Sequence, residues 1–171
     1  ALAEREGDGV ILAGPGGAGK TTASQRLPSP WRSWSDDTTL VVRDAEGAYW
    51  AHPWPTWSRL MPGGPGGSWD VQHAIPLKGV FFLTRAPADE VLAVGAGQAA
   101  CLLTESAEQL LRGMLADWGV DEARALRLRR FDNICALARA VPCYQLGVSL
   151  YGAFWEQIER VLNTKQTAEV G

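Results

Sequence analysis

Residues 14–21 read GPGGAGKT and carry the residue types and spacing of a phosphate-binding loop, G-x-x-x-x-G-K-S/T. The glycines let the backbone close around a phosphate group without clashes from Cβ atoms. Lys20 is expected to reach the outer phosphates of a nucleotide, and the Thr21 hydroxyl to take a position on Mg²⁺. The candidate nucleotide-binding residues are Gly14, Gly16, Gly17, Ala18, Gly19, Lys20, Thr21 and Thr22.

A strand and a helix are needed to position this loop. Residues 10–13 (VILA) form a short apolar run that suits a buried strand, and residues 21–27 (TTASQRL) can open a helix. The helix must be short because Pro28 cannot continue it. A strand, a glycine-rich turn and a helix N-terminus together direct several backbone N–H groups towards one point, where an anion can bind.

A pair of carboxylates, Asp36 and Asp37, follows shortly after this first helix. One carboxylate could hold Mg²⁺, directly or through water, and the other could accept a proton from an attacking hydroxyl. Phosphoryl transfer requires little more than positioning, charge neutralisation and a base beside the nucleophile. The alternative is that one Asp only caps or turns the chain before Thr38. The nearby phosphate loop favours the chemical interpretation.

Four stretches together resemble a known superfamily: GPGGAGKTT, SDD, the hairpin predicted after them, and IPLKGVFFL. This combination is similar to the HPr kinase and phosphoenolpyruvate carboxykinase superfamily, in which an Asp pair follows a phosphate loop at short distance. The stretches HPWPTW and VSLYGAFW resemble the SynChlorMet cassette kinase-like proteins, which accompany radical-enzyme peptide-modification systems. The resemblance covers most of residues 9–162.

The resemblance implies roles for particular residues. Lys20 would bind the β- and γ-phosphates, Thr21 would ligate Mg²⁺, Asp36 would be the catalytic base and Asp37 the metal-side acid. The order of the two Asp roles stays open. The chain departs from the HPr kinases in lacking their E-I/V-R-G-x-G signature and the catalytic His that they carry upstream of the loop. These departures argue against HPr itself as the substrate.

The function predicted from these residues is ATP-dependent transfer of the γ-phosphate to a hydroxyl, on a peptide or protein of a peptide-modification pathway, with Mg²⁺ as cofactor. Two alternatives stay open. The chain could be a nucleotide-responsive module that binds a peptide or partner without turnover, or a kinase of a small molecule.

Composition excludes several other classes of protein. The 171 residues carry a net charge of −3, without the basic excess of a nucleic-acid binder. No apolar run is long enough to span a bilayer, so no membrane partner is expected. Three cysteines without a C-x-x-C pair are typical of free buried thiols in a reducing compartment. The expected location is therefore the cytoplasm, and an oligomer stays open.

The predicted fold is a single α/β domain over 1–171, of HPr kinase and carboxykinase type, with a mixed sheet and helices mainly in the second half. Residues 1–8 and 164–171 are expected to be loose, and 52–70 to form a long loop rich in Trp, Pro and Gly. Strands are expected at 9–14, 75–84 and 144–150, with a hairpin at 40–51. One helix is expected to start at Pro87, and others are expected at 98–118, 121–140 and 153–162. The helix at 121–140 is expected to bury one face, which consists of Leu128, Phe131, Ile134, Cys135 and Ala138.

Several isolated residues are weaker candidates for the site. Arg85 follows a strand end and could neutralise charge on the transferred phosphoryl group, as could Arg59 and Lys78. His52 begins the long loop and is interpreted as a residue without a chemical role. The helix predicted at 121–140 carries a cluster of four arginines, Arg124, Arg127, Arg129 and Arg130. This cluster is either a solvated face or a docking site for an acidic peptide or a partner protein.

Overall fold

The computed structural model describes residues 1–54, 70–114 and 118–169, with side chains described outside 109–114 and 165–169. These ranges contain eight strands and four helices. The strands are β1 (Leu2–Arg5), β2 (Asp8–Ala13), β3 (Arg32–Ser35), β4 (Thr39–Arg43), β5 (Tyr49–Pro53), β6 (Ile75–Arg85), β7 (Glu90–Val94) and β8 (Cys143–Val148). The helices are α1 (Lys20–Arg26), α2 (Ala96–Met114), α3 (Val120–Ala140) and α4 (Phe154–Glu169).

The strands form one mixed sheet, which confirms the predicted α/β fold with a mixed sheet. Strand β6 lies at its centre and pairs in parallel with β2 and with β8. The antiparallel pairs extend the sheet from β2 to β1 and β3, from β6 to β5 and β4, and from β8 to β7. Because β2, β6 and β8 are parallel, their carboxyl ends at Ala13, Arg85 and Val148 meet at one edge of the sheet.

Helices cover both faces of the central strands. Ile11 and Phe82 belong to a core cluster that includes residues of α2 and α3, whereas Leu12 and Phe81 belong to a cluster that includes residues of α1 and α4. Neighbouring residues on a strand point to opposite faces. Burial on both faces therefore explains why residues 10–13 of β2 and 80–83 of β6 are unbroken apolar runs rather than alternating ones.

Most predicted elements are confirmed with small shifts at their ends. Strands β2, β6 and β8, the hairpin of β4 and β5, and helices α1, α2 and α3 all lie where the sequence predicts them. The hairpin turn is held by Asp44, whose carboxylate accepts hydrogen bonds from the Ala48 N–H at 2.7 Å and the Trp50 indole N–H at 2.7 Å. These bonds, above all that from Trp50, lower the pKa of Asp44.

The structure corrects four predictions. The segment after Pro87 contains strand β7, not a helix, because it pairs with the edge of β8. Residues 1–8 are not loose, since β1 lies between β2 and β3. The chain after 163 continues as α4 to Glu169. On α3, Leu128 and Phe131 are exposed, and the buried face contains Leu137 in their place.

Other predictions concern single residues and one loop. None of the three cysteines forms a disulfide; Cys143 is buried as predicted, Cys135 is half-buried and Cys101 is exposed. Most of the long loop predicted at 52–70 lies outside the described residues. Within the described ranges, no helix combines the length and the apolar character that crossing a membrane requires.

The burial of β1 makes a prediction about stability. Leu2 is 0% exposed. Leu2→Ala is therefore expected to lower the free energy of unfolding by about 2–5 kcal/mol, through lost apolar burial and a residual cavity. The control is Leu92→Ala on β7, where the side chain is 57% exposed and the expected loss is below about 1 kcal/mol. Urea denaturation measures both, and equal losses would mean that β1 is not part of the stable core.

Candidate functional site

The phosphate loop connects the end of β2 to the start of α1. Gly17 and Gly19 have φ angles of +80° and +97°, in the left-handed region that side chains with a Cβ rarely adopt. Gly19 is also the residue that caps α1, and its carbonyl accepts a hydrogen bond from the Ala23 N–H at 2.8 Å. The predicted strand, glycine-rich turn and helix are thus all present, in the predicted order.

Lys20 folds back over this loop. Its Nζ donates hydrogen bonds to the carbonyl oxygens of Gly14 at 2.8 Å and Pro15 at 3.0 Å. Partial burial lowers the pKa of Lys20, while the charge of Asp37 acts in the opposite direction. The ammonium group is therefore poised over the loop, and an entering phosphate could replace the two carbonyls as its acceptor.

Asp36 and Asp37 follow the end of β3 and have different environments. Asp36 is 1% exposed, and neither of its carboxylate oxygens has a hydrogen-bond partner among the described residues. Asp37 lines a cavity together with Lys20. Both carboxylates and Lys20 act electrostatically on the nitrogen of Ala1, so these groups share one neighbourhood.

The cavity beside Lys20 has a volume of about 540 Å³, within the range of about 300–1,000 Å³ usual for small-ligand sites. We call it the Lys20 cavity. Its walls are the end of β2 with the phosphate loop, the segment from Asp37 into β4, and helices α2 and α3. The described side chains that line it include Lys20, Asp37, Thr38, Thr39, Ser106, Arg130, Ile134 and Leu137.

A second cavity, of about 410 Å³, is lined by other residues of the same loop and helix. We call it the Arg85 cavity. Arg85 Nη2 donates to the carbonyl of Gly17 at 3.2 Å, which joins the end of β6 to the phosphate loop. Arg26 Nη1 donates to the carbonyl of Ser149 at 2.8 Å, just after β8. The lining includes Ala18, Gly19, Thr22, Arg26, Arg85 and Ser149.

The donor set near the loop fits Mg²⁺. The ion prefers oxygen ligands and is usually bound by one or two carboxylates together with phosphate oxygens. Asp36 offers two buried oxygens that have no hydrogen-bond partner in the described part of the chain, and Thr21 lies in the first turn of α1. The described residues contain no group of three or more His, Cys, Asp or Glu side chains that could bind a metal alone. Such a group is not needed where phosphate oxygens supply the remaining ligands.

The two cavities divide the predicted site residues. Gly14, Lys20 and Asp37 line the Lys20 cavity. Ala18, Gly19 and Thr22 line the Arg85 cavity. Gly16, Gly17 and Thr21 line neither cavity, and Asp36 is buried. Lys78 lines neither cavity and is therefore outside the site. Its Nζ lies 3.8 Å from Asp8 Oδ1. Arg59 lies outside the described residues.

Sequence reasoning missed Arg130 as a residue of the site. The four arginines are expected to form either a solvated face or a docking site on α3, yet Arg130 lines the Lys20 cavity. The available signal was helical spacing, because Arg130 precedes Ile134 by four positions and Leu137 by seven. Residues at this spacing share one helix face, and that face of α3 is the one turned to the sheet.

Comparison with known proteins gives one match. No curated protein and no solved structure matches the chain. The family model described as SynChlorMet cassette protein ScmC matches residues 1–163, which is most of the sequence. The chain therefore belongs to the SynChlorMet cassette protein ScmC family.

Proposed function

We propose that this protein is an ATP-dependent phosphotransferase of the HPr kinase and carboxykinase type. Its acceptor would be a hydroxyl group on a peptide or protein of a peptide-modification pathway. The observation that carries the proposal is that Lys20 of a glycine-rich phosphate loop and the carboxylate of Asp37 line one cavity. Membership of a cassette family supports the link to a biosynthetic pathway.

The geometry around the loop supports a site with separate positions for the nucleotide and the acceptor. The phosphates of ATP would lie on the loop under Lys20, and the Arg85 cavity offers space for the rest of the nucleotide. Arg85, already bonded to Gly17, would neutralise charge that develops on the transferred group. The acceptor would occupy the Lys20 cavity, on the side where Asp37 lies.

The reaction joins the acceptor oxygen to the γ-phosphorus and breaks the bond from that phosphorus to the oxygen bridging to the β-phosphate. The hydroxyl proton passes to a carboxylate, and the bond electrons leave with ADP. We assign the proton to Asp37 because it lines the cavity and Asp36 does not. The resemblance implies the opposite roles, with Asp36 as the base and Asp37 on the metal side.

Asp36 and Thr21 would then hold Mg²⁺. The ion would supply neutralisation of the negative charge on the phosphate oxygens. A buried carboxylate without a hydrogen-bond partner is costly, and a cation beside Asp36 would remove that cost.

A nucleotide-responsive binding module without turnover is the second candidate. It is favoured by the missing E-I/V-R-G-x-G signature, which leaves no further glutamate to assign to the metal. Such a module would bind ATP and its partner peptide without transferring phosphate. A small-molecule kinase is a third candidate, because a cavity of about 540 Å³ also accommodates a compact acceptor.

Isothermal titration with ATP, with and without Mg²⁺, tests the first step. We expect binding that Mg²⁺ strengthens by at least about tenfold, since the ion screens the phosphates and bridges them to the protein. Incubation with γ-labelled ATP and serine peptides then tests transfer. If ATP binds but no phosphate is transferred to a peptide or a small hydroxyl compound, the binding module is favoured. If ATP does not bind, the proposed nucleotide site is wrong.

A further inference from the structure

The guanidinium of Arg130 is only partly paired within the described part of the chain. Its side chain is 16% exposed, and Nη2 donates to Glu108 Oε2 at 2.6 Å. Nε and Nη1 are buried and have no hydrogen-bond partner among the described residues. An arginine remains charged at every physiological pH, so buried N–H groups of this kind call for an acceptor.

The position of Arg130 indicates where that acceptor would come from. Arg130 lies on α3 and lines the Lys20 cavity, whose charged lining side chains among the described residues are Lys20, Asp37 and Arg130. Lys20 belongs to the phosphate loop and is committed to the nucleotide. Arg130 belongs to a different wall, so an anion that it binds would be part of the acceptor.

We propose that the acceptor carries a carboxylate beside its hydroxyl, and that Arg130 binds this carboxylate. This inference rests on the proposed phosphotransfer. Each edge of the guanidinium that can offer two parallel N–H donors includes Nη2, so a carboxylate bound in this way would share Nη2 with Glu108 or displace it. Held in this way, the acceptor would present its hydroxyl towards Asp37. In a peptide, the carboxylate is an acidic side chain or the free C-terminus.

The first test uses short amidated serine peptides in which Asp stands in turn at each position around the serine. The matched set has Asn in place of Asp. At the best position we expect a KM about tenfold to a hundredfold lower for the Asp peptide, as for a hydrogen bond between charged groups. An Asn peptide with a free C-terminal carboxylate distinguishes an acidic side chain from a chain end as the source.

Variants of Arg130 provide the second arm. Arg130→Gln should remove the difference between Asp and Asn peptides while leaving the ATP Kd within about threefold, and Arg130→Lys should retain part of the difference. The matched control is Arg127→Gln, an exposed residue of the same helix, which should behave as wild type. Equal KM values for every Asp and Asn pair in the wild type, or an unchanged preference in Arg130→Gln, would overturn the proposal.

Glu108→Gln separates recognition from a purely structural role. If Arg130 only joins α3 to α2 through Glu108, both variants should lower the melting temperature and neither should change the ratio of KM values. If Arg130 binds the acceptor, Arg130→Gln should remove the preference for Asp, whereas Glu108→Gln should increase it because the competing carboxylate is gone.

A binding measurement keeps this inference distinct from the proposed transfer. If ATP binds but no peptide is phosphorylated, fluorescence anisotropy of the labelled Asp and Asn peptides is measured with a non-hydrolysable ATP analogue. Tighter binding of the Asp peptide that Arg130→Gln abolishes would support the carboxylate site without a kinase. Equal binding of the two peptides would contradict it.

Discussion

Lys20→Ala is expected to weaken the binding of Mg²⁺-ATP by about a hundredfold, or about 2.7 kcal/mol. Lys20 Nζ lies within hydrogen-bond distance of two loop carbonyls, Gly14 and Pro15, and is therefore held over the position of the phosphates. The loss removes a charged donor from a partly buried site, where screening by solvent is weak. The fold should be retained, because both lost bonds are local to the phosphate loop and do not join it to another element.

Isothermal titration measures this effect, with Lys78→Ala as the matched control. Lys78 is half exposed and lies 3.8 Å from Asp8, so its removal should leave the ATP Kd within about twofold. Both proteins are compared by melting temperature before titration. A Kd for Lys20→Ala within threefold of the wild type would show that the loop does not bind phosphate in the assigned way.

Asp37→Asn is expected to lower the rate of phosphoryl transfer by about 10²–10⁴-fold, the usual contribution of a general base. The amide has the shape of the carboxylate but cannot accept the hydroxyl proton. The ATP Kd should change by less than about threefold, because Asp37 is assigned to the acceptor side of the cavity. Release of labelled phosphate to water provides a readout that does not require the natural acceptor.

Asp36→Asn is the paired variant, with a different expected result. It should raise the Mg²⁺ concentration needed for half-maximal ATP binding by at least about tenfold. The variant should not be less stable than the wild type without ligand, because it replaces a buried, unpaired charge with a neutral group. If Asp36→Asn instead abolished transfer with normal Mg²⁺ dependence, and Asp37→Asn did not, the two roles would be reversed.

The phosphate loop could be predicted because its chemistry is local. The positive φ angles at Gly17 and Gly19 and the position of Lys20 after the last glycine are properties of a few consecutive residues. The hairpin at Asp44 is local in the same way, since its turn and its hydrogen bonds involve neighbours in sequence. The apolar run of β6 was also sufficient to predict a strand, because a strand buried on both faces does not alternate between apolar and polar residues.

Strands β1, β3 and β7 were not predicted. Each is short. Strand β3 pairs with β1, and β7 pairs with β8, across long separations in sequence, whereas β1 also forms a hairpin with the adjacent β2. Leu92 on β7 is exposed, so its hydrophobic character did not report burial. Hydrogen bonding along the edge of a sheet overrides weak local preferences, and sequence patterns do not encode which edge is available.

The sequence by itself determined the phosphate loop, the pair Asp36 and Asp37, and most of the elements around them, because these depend on local backbone chemistry and on hydrophobic periodicity. Only the tertiary structure decided that Asp37 lines a cavity while Asp36 is buried, and that Arg130 shares the cavity of Lys20. Adjacent residues after a strand point in different directions, and a helix turns one of several arginines inward. The surrounding elements that fix those directions come from distant parts of the chain.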